Sequence, residues 1–285
     1  VRLLAARARC FLLRAGELPF SARLFAGVAE ATILQRRFYG NLIRLDVSRS
    51  NVQRLIYLLG RRFIAERHVV WRLCKPGSVV ADVGANIGHY MMLFARHVGP
   101  NGLVLSFEPD PENLIELRRN VESHSLCNVE VHAVAVGAAD VDVNLQPGLN
   151  ARVTLDGSGP VVVAQRRLDS VVGGRLDLLK IDVEGYEGHV LAGATRVLRA
   201  LRPRLFVEIH PWMLVPPYGV DDVVAMLAGT GRRLRALDTA PQSNLLDKMR
   251  ARYLPRGGVR EVSLDALITA SRAGDRRESF WIFAE

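Results

Sequence analysis

Between residues 78 and 237 short apolar runs alternate with stretches whose apolar positions recur every three or four residues. Val79, Val80, Ala81, Asp82 and Val83 form the first run, ending at Gly84. Residues 103–107, 129–136, 176–181 and 205–209 form four more, each short enough for a strand buried on both faces. After the first run Ile87, Met91, Phe94 and Val98 share one side of a helix that Gly99-Pro100 stops. Asp110 is placed to cap the next helix, with Pro111 at its first position and Leu114, Leu117 and Val121 along its face. Val190, Leu191, Ala194, Val197 and Leu198 give the inward stripe of a third. A helix near 220–227, a strand near 233–237 and a last strand over 279–283 complete the series. Strand–helix alternation of this kind predicts an α/β fold, a parallel sheet with helices on both faces.

Three regions depart from the alternation. Residues 137–176 hold two further strand-like runs, 141–145 and 161–164, and read as a hairpin insertion. Residues 1–75 read as a mostly helical extension with breaks at Pro19 and Gly40, its clearest stripe being Val52, Leu55, Ile56, Leu59, Phe63 and Val70. Lys75-Pro76-Gly77 then punctuates the chain, so 76–285 is expected to be the α/β domain. The connection 238–258, with Pro241, Asn244, Pro255 and Gly257-Gly258, is long enough to serve as a lid. It and the N-terminal segment are expected to cover an acceptor site.

Composition changes this picture little, with 49% hydrophobic and 24% charged residues, but charge placement does. Residues 1–75 carry 15 Lys or Arg against four acidic residues, while the remainder carries 23 basic and 25 acidic ones. A basic segment attracts nucleic acid, anionic lipid or an acidic substrate, and a solvated basic face is the commoner explanation. Leu12, Leu13, Leu18, Phe20, Leu24 and Phe25 among arginines leave peripheral membrane contact open. The three cysteines, Cys10, Cys74 and Cys127, are far apart and make no disulfide framework or zinc motif. Arginines interrupt every N-terminal apolar piece, so neither a signal core nor a membrane span is expected, and the cytoplasm is the expected location.

Candidate chemistry gathers where strands end, which is where ligands bind in such sheets. The first strand leads into Asp82-Val83-Gly84-Ala85-Asn86-Ile87-Gly88. A dinucleotide loop would carry a second glycine where Asn86 stands, so that a pyrophosphate could approach the helix. Asp82 would repel that pyrophosphate but attract the sulfonium and ammonium of S-adenosylmethionine (SAM). At the second strand's end Glu108, followed by Pro109, has the position of an acid that takes ribose hydroxyls.

Three strings, VADVGANIGHY from Val80, LSFEPDPENL from Leu105 and KIDVEGYEGHVLAGA from Lys180, make the chain resemble FkbM-type methyltransferases of the class I SAM-dependent group. RLFVEIHP from Arg204 and the lead-in from Asp46 to Arg62 are weaker parts of the resemblance. It implies a Rossmann-like, seven-stranded, mostly parallel sheet whose last strand is antiparallel. It also implies methyl transfer from SAM to a hydroxyl oxygen of a small molecule, sugar or glycolipid. By the resemblance Gly84, Ala85, Asn86 and Gly88 would shape the methionine pocket beside Asp82. Glu108 and Pro109 would hold the ribose, Ala135 would flank the adenine, and Asp182 would face the methyl group.

A neutral hydroxyl is a poor nucleophile, so a group that removes its proton is expected. Asp182 and Glu184 follow the fourth core run, and Glu208 and His210 end the fifth. Side chains two apart on a strand share a face, so these four can converge. His210 titrates near neutrality and is the expected general base, with Asp182 orienting the hydroxyl and Glu184 beside it. Such a set could instead bind Mg²⁺, but it has no dedicated cage spacing and a metal is not favoured. Two alternatives stand: a nucleic-acid methyltransferase, disfavoured because Ile181-Asp182-Val183-Glu184 occupies the strand end where such enzymes carry Asn-Pro-Pro-Tyr or Pro-Cys, and a non-catalytic SAM-binding module. The oligomeric state is not legible.

Overall fold

A computed structural model describes residues 32–38, 41–48, 64–148, 151–238, 260–263 and 279–284, with a few single positions besides. The chain forms two compact units, residues 1–67 with 241–259 and residues 68–240 with 260–285. The apolar–basic stretch around Leu12 to Phe25, Cys10 and nearly all of the expected lid lie outside the described residues.

In the first unit β1 (Ile33–Phe38) and β2 (Asn41–Asp46) pair as an antiparallel hairpin. This corrects the helical reading of that segment. Ile43 and Leu45 are fully buried while Leu42 is exposed and Arg44 half-buried, the period of two that a strand supplies. Helix α1 (Ile64–Leu73) follows, and the boundary between units falls inside it, before the expected break at Lys75.

The second unit is the expected α/β body. Its main sheet has the order β13-β12-β14-β11-β10-β3-β4-β5. The five strands β5 (Val129–His132), β4 (Leu103–Phe107), β3 (Val79–Val83), β10 (Leu178–Ile181) and β11 (Arg204–Ile209) run parallel. The last strand, β14 (Phe280–Ala284), inserts antiparallel between β11 and β12 (Leu234–Asp238), as the resemblance implied. An eighth, short edge strand β13 (Arg260–Val262) takes the sheet beyond the seven implied strands. Among the described residues no helix is long and apolar enough to cross a membrane.

Residues 129–136 do not form one strand. Strand β5 stops at His132, and β6 (Ala135–Val136) leaves for a second sheet of order β6-β9-β7-β8. There β7 (Val141–Gln146) pairs antiparallel with both β8 (Arg152–Thr154) and β9 (Val161–Arg166). This is the expected hairpin insertion with one strand more. Asp110 ties it to the body: Oδ1 caps α3 (Pro111–Ser123) through the Glu112 and Asn113 amides, and Oδ2 accepts from Gly148 N at 3.0 Å.

From β3 the chain moves outward through β4 and β5, then returns to build β10 and β11 on the other side. The switch point, where such folds open a crevice at the strand carboxyl ends, lies between β3 and β10. Helix α2 (His89–Val98) packs beside it: Tyr90 meets Phe206 and Trp281 with ring centroids 6.2 and 5.8 Å away.

Candidate functional site

The first-strand loop is built by backbone more than by side chains. Gly84 (φ +77°) and Gly88 (φ +89°) adopt left-handed backbone, and so does Asn86 (φ 52°), which caps locally by accepting from Ile87 N at 2.9 Å. A Cβ on Gly84 would collide with the carbonyl oxygen of Asp182. That collision is why glycine stands there: the loop and the end of β10 share a wall.

Glu108, only 4% exposed, closes the loop from the side. Its Oε2 accepts from Asn86 N at 2.7 Å, and its Oε1 accepts from Asp110 N at 3.0 Å and Asn113 Nδ2 at 3.4 Å. Burial pushes its pKa up to about 7 even against these three donors. Two carboxylate oxygens offer about four lone-pair sites, so capacity for a hydroxyl remains. Ala85, which donates to Phe107 O at 3.0 Å, is buried under the loop, and Pro109 is half-buried beside Glu108. The third run breaks before Ala135, which pairs with Gln165 in the second sheet.

Asp82 turns into the protein interior. It lies opposite Lys180 in the β3–β10 ladder, and both side chains are completely buried on the same face. Lys180 Nζ stands 3.0 Å from Asp82 Oδ1 and 3.6 Å from Asp182 Oδ2, and donates to Gly84 O at 2.9 Å. Burial alone would lower the lysine's pKa, but the two aspartates outweigh it and hold the ammonium charged. Asp82 therefore neutralises an interior lysine. That lysine is a strut joining the loop carbonyl to Asp182.

Beyond the strut the carboxylates converge as expected. One donor atom from each of Asp182, Glu208 and His210 lies within 4.8 Å of the others. Glu184 Oε2 is 3.5 Å and Glu208 Oε1 3.9 Å from His210 Nε2. Glu184 itself has left-handed backbone (φ 51°), a conformation that clusters at functional sites. Three further residues were missed in the sequence. Fully buried Glu187 meets His210 Nδ1 at 2.9 Å, Ser279 Oγ donates to Glu208, and Lys180 has the role just described. Glu187 opens helix α5 (Glu187–Ala192), so it passes for an ordinary first-turn acid.

These neighbours alter the chemistry assigned to His210. Burial would lower its pKa, but the hydrogen bond to Glu187 and the charges of Glu208, Glu187 and Glu184 raise it to about 10. The ring holds its proton more tightly than a free imidazole, which weakens it as a base. Burial and the charge of Asp182 push Glu208 up to about 8. The region is crowded with negative charge on the same sheet face as the loop, and it will favour a cation.

A Rossmann-like α/β body with a glycine-turned first loop and an acidic cleft at the switch point defines a nucleoside-binding enzyme class. Residues 82–234 match the methyltransferase FkbM domain, and the chain belongs to that family. A relative from Streptomyces tacrolimicus, 31-O-demethyl-FK506 methyltransferase FkbM, is 30% identical over 55% of this chain and 73% of its own length. "Methyltransferase 1" of Beauveria bassiana is 30% identical over 41% of this chain, and the chain spans 58% of that relative's length. The 2-O-methyltransferase NoeI of Sinorhizobium fredii is 29% identical, with 48% of this chain and 65% of the relative covered.

Proposed function

We propose that this chain transfers the methyl group of SAM to a hydroxyl oxygen of a sugar, glycolipid or other small-molecule acceptor. The carrying observation is the shared wall at the switch point. Gly84 packs on the Asp182 backbone, so the loop that would seat the cofactor abuts the carboxylates that would meet the acceptor. An excess of carboxylates suits the sulfonium and ammonium and repels a pyrophosphate. Relatives named as a 31-O-demethyl-FK506 methyltransferase and a 2-O-methyltransferase support an oxygen acceptor, and one named as a hexuronic acid methyltransferase supports a sugar-derived one.

In this reading Glu108 takes the ribose and Asp182 orients the acceptor hydroxyl. Glu184, 3.5 Å from His210, is the group placed to accept the hydroxyl proton as the new C–O bond forms and the S–C pair returns to sulfur. His210, clamped by Glu187, fixes Glu184 and offsets part of the negative charge. Trp212, 47% exposed with its ring 6.0 Å from that of His210, gives the acceptor an apolar face to lie on.

Calorimetry with SAM and with NAD, followed by incubation with methyl-labelled SAM and hexose, hexuronic-acid or lipid-linked sugar acceptors, tests the proposal. Heat with SAM alone and label on an acid-stable ether are expected. Saturation by NAD, or label recovered only on RNA, would overturn it.

A further inference from the structure

We infer that Asp182, Glu208 and His210 form a binding site for one small divalent cation of the Mg²⁺ or Mn²⁺ kind, which the sequence alone did not favour. The β10–β11 register pairs Ile181 with Val207, so the next step along both strands sets Asp182 beside Glu208. Alternation brings His210 to the same face, and the three donor atoms lie within 4.8 Å of one another. Two carboxylates and one imidazole suit a hard cation that completes its shell with water or substrate oxygens.

The stronger argument is what stands behind these three. A metal-binding histidine gives its far ring N–H to a carboxylate, which fixes the tautomer and turns the other nitrogen to the ion. Glu187 does this here: it is fully buried and meets Nδ1 at 2.9 Å, leaving Nε2 pointed at Glu184 and Glu208. Glu187 has no catalytic reach of its own, and a buried carboxylate held only to orient a ring is costly unless the ring has a task. Glu208 is fixed in the same way by Ser279 Oγ. Lys180 already neutralises Asp82 at 3.0 Å and touches Asp182 on one oxygen only, at 3.6 Å. Asp182, Glu184, Glu187 and Glu208 therefore gather around one imidazole, a crowding that a dication relieves.

The cation site does not depend on the methyl-transfer reading; only its use rests on it, which would be to polarise the acceptor hydroxyl and ease proton loss to Glu184. The test is a titration of the full chain with Mn²⁺, following free ion by electron paramagnetic resonance, with Mg²⁺ as competitor. One saturable site per chain is expected. Asp182→Asn and Glu208→Gln should each weaken it at least tenfold, and Glu187→Gln, which touches no ion, roughly 10- to 100-fold. Thermal melting without metal verifies that each variant is folded, and any one folded variant suffices. No saturable Mn²⁺ binding, or binding unchanged in a folded ligand variant, would overturn the site. SAM calorimetry in parallel separates the two readings. Heat with SAM but no Mn²⁺ site removes this inference alone, whereas an Mn²⁺ site without SAM heat upholds the cation site and removes methyl transfer.

Discussion

The two halves of the site handle buried negative charge in opposite ways. Around the loop every carboxylate has a partner. Asp82 faces Lys180 at 3.0 Å, and Glu108 accepts from two backbone amides and Asn113. At the ends of β10 and β11, Asp182, Glu184, Glu187 and Glu208 gather around His210, and Lys180 reaches Asp182 from one side. The first half is a scaffold that contributes rigidity. The second concentrates like charge, which a positively charged ligand would offset. Placed side by side, they separate residues that hold the fold from residues that act.

The largest effect is expected where the two halves join. Lys180→Met leaves Asp82 buried without a counter-charge and releases the Gly84 carbonyl, and should cost about 3–5 kcal/mol in urea unfolding. Lys180→Met with Asp82→Asn removes both charges and should recover most of that loss. If the single variant unfolds like wild type, Asp82 is not held as an anion and the contrast fails.

Next is the acting half. Glu184→Gln should lower kcat by about 10²- to 10³-fold, while SAM affinity measured by calorimetry changes by less than roughly threefold. A parallel loss of SAM affinity would mean that Glu184 belongs to the cofactor half.

The halves also differ in the pH at which they lose stability. Glu108, Glu208 and His210 each bind protons more tightly when folded, so each stabilises at low pH and loses that contribution as pH rises through its folded pKa. Glu108 is raised from 4.5 to about 7, so the loop's share is present below 4.5 and gone above about 7. In the cluster Glu208 is raised from 4.5 to about 8 and His210 from 6.5 to about 10, so its losses continue into alkali. The melting temperature without ligand should therefore fall from mildly acidic to alkaline pH. Glu108→Gln should flatten only the part below about 7, and His210→Gln only the part between 6.5 and about 10. If both variants keep the wild-type profile, the pH dependence originates elsewhere.

The loop half was the more legible in sequence, because its chemistry is local. Asn86 and Gly88 are dictated by turns within one short segment, and Glu108 by its place after the next strand; the contact of Gly84 with Asp182 is long-range. The cluster was half legible. Alternation brought Glu208 and His210 to one face, and Asp182 and Glu184 do join them, but Glu184 arrives through a left-handed turn beyond β10, and the proton affinity of His210 depends on Glu187, which only the packing of α5 delivers. Asp82 is legible only in part for a similar reason. Its character as a carboxylate is visible in the string, but the register that sets it against Lys180 is a non-local fact. The N-terminal hairpin was lost to composition: arginines and leucines suggest helix, while Leu42, Ile43, Arg44 and Leu45 alternate as a strand. The break after His132 leaves no local signal at all, since the apolar run continues unbroken into β6.

The smallest effect is expected at the rim. Trp212 follows His210 by two residues, nearly half exposed, its ring at 75° to the imidazole. If it offers the acceptor a face, Trp212→Ala should cost about 1 kcal/mol of binding, roughly fivefold in acceptor KM, with kcat nearly unchanged. Trp212→Phe keeps an aromatic surface and should lose less. If Trp212 instead steadied His210, the variant would lower kcat and shift the alkaline limb of the melting profile, with KM unmoved. The KM-against-kcat split decides whether the acting half ends at His210 or extends to the surface the acceptor first meets.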